Sequence, residues 1–334
     1  MNFTNYLSLL IVVLLFTSCD NEIMFEVDGN ALGTTYNINY YAKAKQNFKP
    51  KFDSIFDAIN SSISTYQKDS DISRFNQGLE VEPDTHLKSI FEYSKDIYNK
   101  TNGYFDPSVG ILVNAYGFGP ENSEKNMSEE TVDSLINYVG FNNFKLQHSK
   151  LTTDLKHYYL DFNANGKGYA VDVIADFLKE NGITNFFVEI GGEIAASGYN
   201  LSKDQPWTFG IEQPEEDNKE RDLSYAIILN DKALATSGNY RKFRIDEATG
   251  LKFVHTINPL TGVAERSNVL SASVVSENCT TADAYATAFM AMGLDKAKSI
   301  IKKENISALL IYADANNEIK SYITEDLDDI ITEF

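Results

Sequence analysis

The chain has 334 residues, 43% of them apolar, which is enough for one large or two modest domains with a substantial core. Its 29 basic and 48 acidic residues leave a formal charge of −19, which excludes a phosphate backbone as the main partner because that contact needs a basic face. Nucleic acid is not expected, whereas a locally positive pocket for a small phosphate ligand remains allowed.

The N-terminus reads apart from the rest. "YLSLLIVVLLF" is too short for a comfortable membrane span and fits the apolar core of a secretory signal, here residues 1–18. The following "LFTSC" resembles a lipobox ending on Cys19, with Phe16 where an aliphatic residue is usual and no Lys or Arg in "MNFTNY". If Cys19 carries lipid, Cys279 is alone and a disulfide framework is excluded, so an exported protein must rely on its core. A cleaved signal without lipid, or a buried N-terminal helix, is the alternative. Residues 19–31 then read as a lipid-anchored tether, and 32–334 as the folded domain.

The alternation in "TTYNINYYA" predicts a first strand over 34–42. Phe52, Ile55, Phe56 and Ile59 fall at helical spacing, a second helix is expected over 84–100 before "TNG", and a third over 128–138 before Gly140. Further strands are expected at 158–162, 184–190, 207–212, 225–230, 240–245, 252–257 and 268–275. Strands and helices mix without regular βα alternation, which predicts an α+β fold rather than a doubly wound sheet. No linker rich in Pro, Gly or Ser divides the chain, so two lobes would be intertwined.

Several stretches carry chemistry. In "YLDFNANGKGYAVD" a strand ends near Asp161 and a helix is expected to begin near Gly168, so backbone N–H groups and Lys167 would face an anion; an ordinary tight turn is equally open. The Gly191–Gly192 pair reads as a hairpin turn or a close approach to a ligand, and Ser237, Gly238 and Asn239 pose the same choice. His255 leaves its strand just before "NPLTG", where a side chain can project into a cleft. The four histidines have no zinc-like spacing. In "TTADAYATAF", Asp283 and Thr287 lie one helical turn apart and would present two hard oxygens on one face. That suits half a magnesium site, or else a helix cap with a back-bonded threonine.

Eight segments in order resemble the ApbE family of FAD:protein FMN transferases: "LGTTY" at 32–36, "STYQKDSDISRFN" at 64–76, "GYFDPSVGILVNAYGFG" at 103–119, "DFNANGKGYAVD" at 161–172, "VEIGGEIAASG" at 188–198, "TSGNYRKF" at 236–243, "HTINPLTG" at 255–262 and "TTADAYATAFMAMG" at 280–293. The resemblance implies an α+β fold with FAD in a cleft and transfer of its FMN half to a Thr or Ser hydroxyl of an acceptor flavoprotein, with release of AMP. It implies Mg²⁺ on Asp283, Thr287 and the carbonyl of Ala164. FAD contacts are implied at Leu32, Tyr66, Tyr104, Phe105, Asp106, Asp161, Lys167 and Ile257, and His255 is implied as the base. Tyr66, Tyr104 and Phe105 would offer flat faces to the flavin or adenine. Leu32 stands where the family often has Met, and Asn163 where Gly or Ser is common. An FAD pyrophosphatase and a non-catalytic FAD-binding lipoprotein are the alternative readings.

Overall fold

The chain begins its sheet earlier than its sequence suggests. In the computed structural model, which describes residues 22–121, 127–214, 222–238, 243–245, 252–254, 256–264 and 267–334, strand β1 (Ile23–Ala31) pairs antiparallel along its whole length with β2 (Thr34–Ala42). Residues 23–31 are therefore an edge strand and not a tether. The hairpin turns at Leu32 and Gly33, both with positive φ (53° and 74°), a two-residue turn whose twist matches the strands but strains any residue with a Cβ.

Helices α1 (Lys49–Ile63), α2 (Asp71–Asn76), α3 (Thr85–Lys100), α4 (Gly110–Ala115) and α5 (Glu129–Ile136) follow. The caps are local: Ser70, Asp84 and Ser128 each accept the N–H three residues on. After a small ladder of β3 (Phe144–Gln147) and β4 (Lys150–Thr153), the strand expected at 158–162 does not form. Its backbone groups are met otherwise: the Asn76 amide both donates to the Leu160 carbonyl (2.9 Å) and accepts from its N–H (2.8 Å), and Asp161 N–H donates to the Pro107 carbonyl (2.9 Å). One side-chain amide takes the place of a neighbouring strand.

Helix α6 (Asn163–Glu180) starts five residues before Gly168, because Asp161 Oδ1 accepts the Asn163 N–H (2.8 Å) and opens the first turn. Strands β5 (Phe186–Ile190), β6 (Glu193–Ser197), β7 (Tyr199–Asn200), β8 (Gln205–Glu212), β9 (Leu223–Leu229), β10 (Lys232–Gly238), β11 (Phe243–Ile245), β12 (Lys252–Val254) and β13 (Val269–Ser276) come next. Of the strand expected over 252–257, Lys252–Val254 is β12 and residues 256–257 lie outside any strand. Then come α7 (Cys279–Met292), α8 (Leu294–Glu304), β14 (Ser307–Ala313), β15 (Ile319–Ile323) and β16 (Ile331–Glu333).

Eight strands form one sheet in the order β1-β2-β5-β6-β10-β13-β14-β15, every pair antiparallel, and β16-β9-β8-β7 form a second. Strand periodicity explains the layers. Ala195, Ala233, Ala235, Ala272, Val274, Ala308 and Leu310 share a core with α6 and α7, whereas their neighbours Ile194, Leu234, Val275, Leu309 and Ile311 pack with Trp207, Tyr225 and Ile227 of the second sheet. The large sheet is thus buried on both faces, as an α+β layered fold.

The small side chains on its helical face let α7 lie close. Eleven of the fourteen residues of α7 are buried, which makes it the central helix. Its N-terminus is fixed twice. Asn278 accepts the Thr281 N–H (2.9 Å), and Asp172 of α6 accepts the N–H groups of Cys279 (2.7 Å) and Thr280 (2.8 Å). Cys279 is a buried free thiol. Asp172→Ala would leave two helix-start donors without a partner and is expected to cost about 2 kcal/mol. In urea unfolding, the midpoint should fall with an unchanged slope.

Candidate functional site

The site is built around the first two turns of α6, against which α7, the β5–β6 turn and the 64–66 loop converge. The α6–α7 crossing is tight because Gly168 has no side chain. A Cβ there would lie 2.4 Å from the Cys279 carbonyl oxygen and 2.9 Å from Asp283 Cβ. At this crossing Gly168 N–H donates to Asp283 Oδ2 (3.1 Å), and one turn along each helix Thr287 Oγ1 donates to the Ala164 carbonyl (3.3 Å). Asp283 is buried and does not cap α7, which is the work of Asn278. Thr287 reaches across to α6 and lies 3.4 Å from Ser237 Oγ at the end of β10. The cap reading of the Asp283/Thr287 pair is thereby set aside: both side chains reach across to the first turns of α6.

Lys167 leaves α6 on the side of the β5–β6 turn. Gly191 and Gly192 there have φ of 61° and 103°, a hairpin turn, and Gly191 N–H donates to the Thr35 carbonyl (3.0 Å). The turn is also a close approach: a Cβ on Gly191 would sit 2.8 Å from Thr34 Cγ2 and 3.2 Å from Lys167 Cδ. The lysine stem passes over the bare turn, and its ammonium forms an ion pair with Glu193 Oε2. Glu193 is only 2% exposed.

The electrostatics follow from burial. Desolvation pushes the Asp283 carboxyl up, opposed by Lys167 and the Gly168 N–H. Desolvation pushes Glu193 up as well, and the charge of Asp283 adds to it against the pull of Lys167. For Lys167, desolvation acts downward, but Glu193 and Asp283 outweigh it and raise the ammonium's pKa. Two buried carboxylates share one ammonium.

At the other end of the first turn, Asn163 Nδ2 donates to Thr65 Oγ1 (3.2 Å), which ties the 64–66 loop to α6. Tyr66 is 65% exposed, and its hydroxyl is held above its ordinary range by partial burial and by the charge of Asp161. Asp161 is buried, which raises its carboxyl, while its bonds to Asn163 lower it. A cleft of about 360 Å³ opens beside this corner, lined among others by Asn114, Glu121, His157 and Tyr159. Burial, with Asp161 and Tyr66 nearby, pushes the Tyr159 hydroxyl to about 12.

The remaining residues are distributed unevenly. Leu32 occupies the strained β1–β2 turn, half-buried. Tyr104 is half-buried beneath the Lys296 ammonium, 5.0 Å from the ring centre. Phe105 is 1% exposed and belongs to the main core, so its ring offers no face to a ligand, contrary to the expectation of a flat flavin surface. The Asp106 carboxylate is engaged by the chain itself: it accepts from Ser108 N–H (2.7 Å), Ser108 Oγ (2.6 Å) and Phe141 N–H (3.1 Å). Ile257 is buried in a satellite core with Leu112, Tyr116 and Ala264. His255, Cys19 and residues 1–18 lie outside the described residues. Sequence reasoning missed Glu193; its signal was a lone carboxylate opening a strand, "EIAAS", that is otherwise small and apolar.

Residues 32–310 match the ApbE family, and the chain belongs to it. It is 34% identical over 316 residues to a Vibrio cholerae protein named FAD:protein FMN transferase, covering 92% of this chain and 93% of that one. It is 30% identical over 324 residues to the Escherichia coli protein of the same name, covering 91% of each. Among solved structures, the flavin transferase ApbE of Vibrio cholerae superposes with a TM-score of 0.82 at 32% identity, covering 92% of this chain and 99% of that one. The Pseudomonas stutzeri flavinyl transferase ApbE, in apo form, gives 0.82 at 25% identity, covering 93% and 97%.

Burial pushes Asp106 up to about 6 against the three donors, so the folded chain holds this proton to higher pH than the unfolded chain does. The stability that proton contributes is full below about pH 4 and is lost as pH rises through about 6. Relative to the parent, Asp106→Asn should therefore improve by about 2 kcal/mol between pH 4.5 and 7, whatever its constant offset from lost hydrogen bonds. Denaturant unfolding at a series of pH values measures this, and a pH-independent difference between the two proteins would refute it.

Proposed function

We propose that this chain is a flavinyltransferase: it takes FAD, moves the FMN moiety onto a Thr or Ser hydroxyl of an acceptor flavoprotein, and releases AMP. The observation that carries this reading is the α6–α7 crossing, where residues more than a hundred positions apart place a carboxylate, a hydroxyl and a carbonyl beside a lysine. Family membership over residues 32–310 supports it.

The donor set fits Mg²⁺. Among the described residues no three His, Cys, Asp or Glu side chains converge as a metal cluster. Asp283, Thr287 and the Ala164 carbonyl are instead all hard oxygens, and such partial sets suit Mg²⁺, which keeps waters and takes phosphate oxygens. The charge balance agrees, since two buried carboxylates face one ammonium. When bound on these groups, Mg²⁺ supplies charge stabilisation to the phosphoryl oxygens.

The chain's own residues do the rest. Lys167 offsets charge on the diphosphate, and Tyr66 presents an exposed ring near Asp161. In the transfer, the acceptor oxygen forms a bond to the FMN phosphorus as the bridging P–O bond to that phosphorus breaks. AMP leaves with the bridging oxygen, and the hydroxyl proton passes to His255. Among the described residues no helix is long and apolar enough to cross a membrane. We propose export with a lipid on Cys19 as the attachment. Because β1 begins at Ile23, about 14 Å of chain at most would separate anchor and sheet.

Incubation with FAD, Mg²⁺ and an acceptor protein should add the mass of FMN to the acceptor and release AMP, and chelator should abolish both. FMN appearing free while the acceptor stays unmodified would instead make the chain a pyrophosphatase, and intact FAD would make it a binding protein. His255→Ala should keep FAD affinity within about threefold while transfer falls at least about 100-fold. Cys19→Ser should move the chain from the membrane fraction to the soluble fraction; retention there would argue against the lipid.

A further inference from the structure

Glu193 is an unexpected residue for its position. It opens β6, all five of whose residues are buried, and it lies on the same strand face as Ala195, which packs toward α6 and α7. Burying a carboxylate there costs several kcal/mol unless a partner offsets it. The partner is Lys167, which reaches it across the side-chain-free Gly191.

The alternative partner for Lys167 is Asp283, whose carboxylate lies against the next residue of the helix, accepting the Gly168 N–H (3.1 Å). The ammonium nevertheless pairs with Glu193, and Asp283 Oδ2 takes a neutral backbone N–H from Gly168. An ammonium paired with Asp283 would occupy a carboxylate that the function proposed above needs for a divalent cation.

We propose that Glu193 is a positioning residue that draws the Lys167 ammonium away from Asp283 and so keeps Asp283 open to a divalent cation. This rests on the flavinyltransferase reading for its purpose but concerns only the competition between three side chains. Removing the Glu193 charge leaves Asp283 as the buried carboxylate beside Lys167, the half-buried Glu189 being engaged by the Gly192 N–H (2.7 Å), and Lys167 turns to Asp283. Removing Lys167 as well abolishes the competition.

The test is calorimetric titration of Mg²⁺ into the full chain without FAD. Glu193→Gln, which conserves shape, should weaken Mg²⁺ binding by at least about tenfold, the range seen when residues supporting a metal's ligands are altered. Glu193→Gln combined with Lys167→Met should restore the affinity to within about threefold of the parent. Lys167→Met alone should bind Mg²⁺ at least as tightly as the parent, and this arm stands even if Glu193→Gln does not fold. Unchanged binding in Glu193→Gln, loss that the second substitution fails to rescue, weaker binding in Lys167→Met, or no Mg²⁺ uptake by the parent would each overturn the proposal. A parent chain that binds Mg²⁺ and follows the expected pattern but fails to modify an acceptor would overturn the function and leave the Glu193 assignment standing.

Discussion

The close approach of α6 and α7 at Gly168 is the constraint on which the site depends. With 2.4 Å between a hypothetical Cβ and the Cys279 carbonyl, no other residue fits without moving one helix off the other. That contact brings the Gly168 N–H to Asp283 and, a turn away, Ala164 to Thr287. It also brings Asp172 under the start of α7, so one crossing both caps the central helix and assembles the oxygens. The small side chains of the underlying strands serve the same end, since a large residue at Ala235 or Ala272 would lift α7 from the sheet.

Packing this tight excludes water, and its exclusion sets the chemistry. Asp283, Glu193 and Lys167 interact in a medium where charges are poorly screened, so each one's state depends on the others. Removing one partner of such a group leaves an uncompensated charge, which is why buried ion pairs are poor devices for stability alone. A fold seeking only stability would place apolar side chains at the start of β6, as it does at Ile194 and Ala195 immediately after.

How far the sequence discloses this depends on range. Helices α3 and α5, with local caps and apolar periodicity, and α1, with its periodicity and a proline in its first turn, are legible within a residue or two, as is β2 with its strict alternation. Errors arise where distant groups decide. Two glycines in "NGKG" lower helix propensity and suggest a later start for α6, but Asp161 supplies the opening bond. Residues 158–162 look like a strand because Tyr158, Tyr159, Leu160 and Phe162 favour one, yet the partner is the Asn76 side chain. Ile23–Ala31 alternates weakly and reads as a tether because its strand character comes from β2. At the site, the Asp283/Thr287 spacing was visible, but whether it capped a helix or faced a ligand depended on α6. The family motifs named Phe105 and Asp106 without revealing that the ring is core and the carboxylate is engaged by Ser108 and Phe141.

The net charge of −19 makes the local arrangement decisive. FAD brings a diphosphate, and the protein's overall field repels it, although salt confines that repulsion to about 8 Å from each exposed charge. Binding must therefore be won by charges within reach of the phosphates. Among the described side chains near the α6 opening, Lys167 is the cation supplied from within the fold, and its charge is already matched by Glu193. Asp283 is left as the unmatched carboxylate. A pocket with that balance offers a bare diphosphate little net attraction of its own. The same surplus of negative charge that argues against nucleic acid across the surface is met at this one crossing by a single lysine beside two buried carboxylates.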